Sequence, residues 1–89
     1  MTATEKRILE LAGRLPKHER YGEYKLYHSL AMGIATIMDY ETILLRGGNR
    51  VFRNLEDQEK TRKIIRGMEK AGYIKLSKSR NMFKCTGTF

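Results

Sequence analysis

A mostly helical α+β fold, with three to four helices closed by a C-terminal β-hairpin, is predicted by three features of the chain. Residues 54–72 place apolar side chains at three- and four-residue steps between an Asn and a Gly, the period falls to two directly after Gly72, and the chain opens on a capping box. With 89 residues and a 40% hydrophobic share, the expectation is a single domain over 1–89. A chain of this size buries only roughly 60–65% of its unfolded surface, so a dimer would add stability.

Thr2 stands three residues before Glu5, the spacing of an N-cap and its reciprocal partner. The first helix presents Ile8, Leu9, Leu11, Ala12 and Leu15 on one face, and Gly13 with Pro16 ends it at about Leu15. Residues 17–23 are polar and read as a loop. From Tyr24 the pattern is helical again through Leu26, Tyr27, Leu30, Ala31, Ile34, Ile37 and Met38, and Ile43, Leu44 and Leu45 extend it to Gly47-Gly48. One helix or two would satisfy this spacing; Thr36 and Asp39, spaced like a capping box, favour a break there. Gly47-Gly48-Asn49 is the clearest loop. Arg50–Arg53 fits either a short strand pairing with the C-terminal hairpin or the entry to the next helix, with Phe52 in the core.

The stretch 54–72 has helix signals at both ends. Asn54 is a good N-cap, Glu56, Asp57 and Glu59 suit the positive end of the helix dipole, and Gly72 supplies a left-handed terminator. Thr61, Ile64, Ile65, Met68 and Ala71 form the stripe to be buried. At about 100° per residue, Arg62, Lys63, Arg66 and Lys70 fall on the other side, flanked by Lys60 and diluted only by Glu69. Beyond Gly72, Tyr73–Ser77 and Met82–Thr86 alternate, with Ile74 and Leu76 on one face and Phe83 and Cys85 on one face. The link Lys78-Ser79-Arg80-Asn81 has hairpin length, and Asn81 is the residue expected to tolerate a positive φ.

Charge divides the chain. Up to Glu59 nine basic residues balance nine acids, whereas from Lys60 onward nine basic residues face the single acid Glu69. The net charge of +8 therefore belongs to the last third. Such concentration on one helix and its neighbouring hairpin is the footprint of a polyanion-binding surface.

Other classes find little support. No run approaches the ~18 apolar residues of a membrane span, and the N-terminus lacks the form of a signal peptide, so a cytoplasmic protein without membrane contact is expected. One cysteine and two histidines offer neither an internal disulfide nor a zinc pattern. Gly47-Gly48 lacks the Lys-Ser/Thr of a phosphate loop, and no nucleophile stands beside a base, so no catalytic residue, metal, cofactor or small-molecule ligand is expected. Cys85, His18, His28 and the methionines read as ordinary structural residues, and the tyrosines, which lie mostly outside the basic segment, as packing residues.

The Thr-x-x-Glu start with its Ile8-Leu9 pair, the second helical region, the long helix ending Glu69-Lys70-Ala71-Gly72-Tyr73-Ile74 and the final hairpin together resemble the winged helix-turn-helix DNA-binding family. Thr61–Thr86 matches best. Between Ala35 and Asn54 the chain departs from that pattern, carrying an apolar segment and a glycine loop where the family has a tight turn. An inserted helix there would suit a homodimer formed through residues 24–46. The resemblance implies that helix 54–72 enters the major groove of double-stranded DNA and that hairpin 73–86 acts as a wing against the backbone or minor groove. Gln58, Arg62, Lys63 and Arg66 would then reach bases or nearby phosphates, Lys70, Lys75, Lys78, Arg80 and Lys84 would neutralise phosphates, and Lys60 and Asn81 would complete the surface. The function implied is that of a small sequence-specific transcriptional regulator, similar to those of phages, plasmids and archaeal viruses. The alternative is a protein-interaction or RNA-binding module whose basic C-terminal face docks an acidic partner.

Overall fold

The computed structural model describes residues 2–86. Thr2 caps the first helix, α1 (Ala3–Arg14), as its spacing requires: its hydroxyl accepts a hydrogen bond from the Glu5 N–H at 3.1 Å. Ile8, Leu9 and Ala12 are buried, and the helix stops where Leu15 turns extended ahead of Pro16.

The next element departs from the helical pattern expected from Tyr24. Lys25–Leu26 is a short strand, β1, and the second helix, α2, runs only from Tyr27 to Ile37. Leu26, which fits the helical stripe by spacing, is 47% exposed, whereas Lys25 is 5% exposed. The Lys25 ammonium explains this inversion, because it donates to the Ala12 and Gly13 carbonyls at 2.7 and 3.0 Å. A cation thus satisfies the last turn of α1, where carbonyls are unpaired and the helix dipole is negative.

Helix α2 buries Leu30, Ala31, Ile34 and Ala35. It crosses α1 closely at Gly33, where a Cβ would run into the Leu11 side chain. The expected break near Thr36–Asp39 is present, with Asp39 in the left-handed region at φ 58° and Tyr40 N–H donating to Ala35 O at 2.8 Å. Beyond the break the chain forms strands and not a second helix. Thr42–Leu44 (β2) and Arg50–Phe52 (β3) pair antiparallel as a hairpin, with Ile43 opposite Val51. Gly47 and Gly48, both at positive φ, reverse the chain, and an Arg53–Glu41 ion pair of 3.2 Å closes the open end. Arg50–Phe52 therefore pairs with β2 and not with the C-terminal hairpin. Phe52 packs against the core, as expected, while Ile43, Leu44 and Leu45 are 44–61% exposed.

The third helix, α3 (Leu55–Lys70), buries Thr61, Ile65 and Met68. Ile64 packs at the core's edge, whereas Ala71 lies past the helix and is exposed. Asn54 occupies the N-cap position without making a side-chain cap. At the other end Gly72 is left-handed at φ 85°, and the Tyr73 and Gly72 amides donate back to Met68 O and Glu69 O, the paired bonds of a Schellman stop.

The C-terminal hairpin comprises β4 (Ile74–Leu76) and β5 (Met82–Cys85), and β1 adds to the far side of β5, giving the order β1-β5-β4. Ile74 and Phe83 enter the core among α1, α2 and α3, Phe83 with no exposed surface. The left-handed residue of its turn is Arg80, at φ 59°, and not Asn81. Arg80 N–H donates to Ser77 O at 2.9 Å, so the turn closes one residue earlier than the Asn preference suggests. Among the described residues no helix is long and apolar enough to cross a membrane.

Candidate nucleic-acid interface

The burial of Thr61, Ile65 and Met68 fixes the rotation of α3, and Ile74 with Phe83 fixes the hairpin beside it. Their polar neighbours then face one another. Arg62, Ile65 and Arg66 of α3, Leu76 at the end of β4, Ser79, Arg80 and Asn81 of the turn, and Tyr27 at the start of α2 line a single cleft of about 330 Å³. Three of these eight residues are arginines and none is acidic. The Arg62 guanidinium bonds Glu59 at 2.7 Å on the same helix, whereas Arg66 and Arg80 have no acidic partner among the described residues.

Tyr27 joins this group because of the short strand ahead of it. Pairing of Leu26 with Met82 brings the start of α2 to the hairpin, and the Tyr27 amide donates to Asn81 O at 3.0 Å. Partial burial raises the Tyr27 phenol above its usual pKa, against the opposing pull of Arg62, Arg66 and Arg80. The hydroxyl thus lies in the field of all three arginines.

The other basic residues distribute around this cleft. Gln58 and Arg62 border a second hollow on the other side of Tyr27, shared with His28, Met32, Val51 and Phe52. Lys60 pairs with Glu56 at 3.4 Å and is half exposed. Lys63 stands apart, on the edge of α3 that faces Glu5, Ile8 and Leu9 of α1. Lys70 and Lys75 are exposed. Lys75 sits directly opposite Lys84 in the sheet, a like-charge pair that is unfavourable without a counter-ion. The Lys84 ammonium lies 5.7 Å from the centre of the Tyr24 ring, a cation–π arrangement. Lys78 borders a groove with His18, Tyr21 and Tyr24.

Two residues matter here that composition and spacing do not single out. Tyr27 hides within an apolar stripe, and only the two-residue strand before it carries it to the arginines. Glu69 reads as a diluting acid on a basic face, yet its carboxylate accepts the Leu76 N–H at 2.9 Å and so ties α3 to β4. Its charge is used to hold helix and hairpin together.

No cluster of His, Cys, Asp and Glu among the described residues could hold a metal ion. Comparison with known proteins returns no match: no family model fits the chain, and no curated protein or solved structure resembles it at a significant level.

Proposed function

We propose that this chain is a winged helix-turn-helix protein that binds double-stranded DNA sequence-specifically and acts as a small transcriptional regulator. The single observation that carries the reading is the shared cleft, in which arginines of α3 and of the β4–β5 turn face one space free of acids. The order α1-β1-α2-β2-β3-α3-β4-β5, in which β2–β3 is an added hairpin and β1 lies on the outer edge of β5, is compatible with it. In this reading α3 enters the major groove and the β4–β5 hairpin lies along the backbone as the wing. Gln58, Arg62 and Arg66 reach bases in this reading, with arginine the better reader because its fork bonds guanine O6 and N7 together. Lys78, Lys75 and Lys70 neutralise phosphates.

The hairpin β2–β3 stands where this fold would carry a tight turn. Of the 24–46 stretch, α2 turns its apolar side to the core, and Ile43, Leu44 and Leu45 remain outside. A homodimer formed through this stretch would use that tip, so Leu44→Glu would turn a dimer into a monomer in sedimentation analysis while leaving the monomer folded.

A mobility shift on random duplex DNA across a salt series is the deciding experiment. Binding that weakens steeply with salt is expected, with a logarithmic slope of about −0.9 for each phosphate neutralised. Arg66→Ala should relax sequence preference, whereas Lys78→Ala should weaken every sequence alike and flatten the slope by about one. Equal behaviour of the two variants would remove base readout from α3, and no binding at low salt would sink the reading altogether in favour of an acidic protein partner.

A further inference from the structure

We propose that the cleft between α3 and the β4–β5 turn seats one particular backbone phosphate of the bound nucleic acid, held by the Arg80 guanidinium and the Tyr27 hydroxyl. This rests on the duplex-binding reading above and deepens it, by assigning a single anion position to named donors.

The seat is built rather than merely charged. Arg80 occupies a left-handed backbone position, at φ 59°, where Gly or Asn would be unstrained. An arginine at that position strains the turn, and its side chain borders the cleft. Tyr27 is fixed relative to it, since the Tyr27 amide is bonded to the carbonyl of Asn81, the next residue. The two donors therefore move together with the tip of the hairpin. Arg62 and Arg66 of α3 line the same cleft and add positive potential without having to touch the anion. Glu59, an acid whose charge bears on Tyr27, is already bonded to Arg62. A tetrahedral monoanion matches this set: one oxygen for a charged fork, one for a neutral hydroxyl.

The test separates this seat from the reading it rests on. Duplexes enriched from a random pool are made with one phosphate at a time replaced by uncharged methylphosphonate, and binding is followed by fluorescence anisotropy. For the unaltered protein, one position in each bound site should lose about ten- to a hundredfold in affinity. Arg80→Gly and Tyr27→Phe should weaken binding to the unmodified duplex and be indifferent to substitution at that position, whereas Lys78→Ala should remain sensitive to it. Arg80→Gly relieves the backbone, so its melting temperature should not fall, and lost binding cannot be assigned to unfolding. Duplex binding in which both variants keep the full sensitivity everywhere would overturn the seat while leaving the DNA reading intact. If no duplex is bound at all, the DNA reading fails, and the seat is judged by titrating inorganic pyrophosphate against NMR signals. Shifts confined to the Tyr27 ring and the Arg80 side chain, and lost in Arg80→Gly, would uphold an anion seat; shifts spread over all the basic side chains would overturn it.

Discussion

The molecule carries two antiparallel hairpins of similar strand length, and they are built on opposite principles. β4–β5 gains a third strand from β1 and sends Ile74 and Phe83 into the middle of the core. β2–β3 has no third strand among the described residues, holds on through Phe52, and leaves Ile43, Leu44 and Leu45 outside. Their turns differ in the same sense. Where β2–β3 needs left-handed backbone it uses Gly47 and Gly48, whereas β4–β5 uses Arg80, against a preference of roughly 1–2 kcal/mol. One hairpin is relaxed at its tip and loosely attached; the other is firmly rooted and strained at its tip. Strain over a rooted base is what a position kept for its side chain looks like.

The largest test of that contrast replaces each anchor. Phe83→Ala removes a fully buried ring shared by the three helices, and should destabilise the whole chain by about 3–5 kcal/mol in urea titrations. That is a large part of the stability of a domain this small. Phe52→Ala removes a half-buried ring and should cost less, with its effect local: in hydrogen exchange, the amides of 42–52 should lose protection while those of 74–85 keep it. Equal, global losses from both replacements would show the two hairpins to be one cooperative unit and dissolve the distinction.

Next in size is Lys25, whose ammonium joins the strand beside β5 to the end of α1. Lys25→Met keeps most of the stem but leaves the Ala12 and Gly13 carbonyls without this partner. A loss of about 1–3 kcal/mol is expected, measurable as a lower urea midpoint at unchanged slope. The β2–β3 hairpin has no buried charge of this kind among the described residues, so Arg50→Met, at an exposed position, should fall within about 0.5 kcal/mol of the parent.

Much of the rooted half is legible in the sequence, because its signals are local and redundant. Thr2 with Glu5, the spacing of Thr61, Ile65 and Met68, and Gly72 each state a helix boundary or face in a form that neighbouring residues repeat. The period change after Gly72 marks the hairpin, and the one-sided charge marks the arginines of the cleft. The second hairpin is legible only in part: the break after Thr36, the Gly47-Gly48 loop and a strand at Arg50–Phe52 fall within the reading, but Ile37, Met38, Ile43, Leu44 and Leu45 continue a helical spacing that hides β2 and its pairing with β3. Strand β1 is two residues long, too short for any periodicity, and its existence depends on β5 some sixty residues away. Tyr27 is hidden with it, since only that pairing brings the tyrosine to Arg80. Lys25 misleads because a lysine is almost always exposed, and its partners are carbonyls that a sequence does not display.

The smallest test lies at the seam between the two hairpins, where Tyr27 borders both the hollow beside Val51 and Phe52 and the cleft beside Arg80. Burial raises its phenol pKa more than the three arginines lower it. The folded chain therefore holds the Tyr27 proton more tightly than the unfolded chain, whose tyrosine ionises near pH 10. Stability from this group is complete below about pH 10 and is lost as pH climbs from there through the raised value. Tyr27→Phe has no proton to lose, so its unfolding midpoint should fall less steeply with pH than the parent's above pH 10, with parallel behaviour below. If parent and variant decline together, the arginines of the cleft hold the phenolate as well as water does, and the cleft is more open to anions than its walls suggest. A difference between parent and variant that widens in the Arg80→Gly background, where a charge that lowers the phenol pKa is gone, would instead place the two side chains in one electrostatic unit.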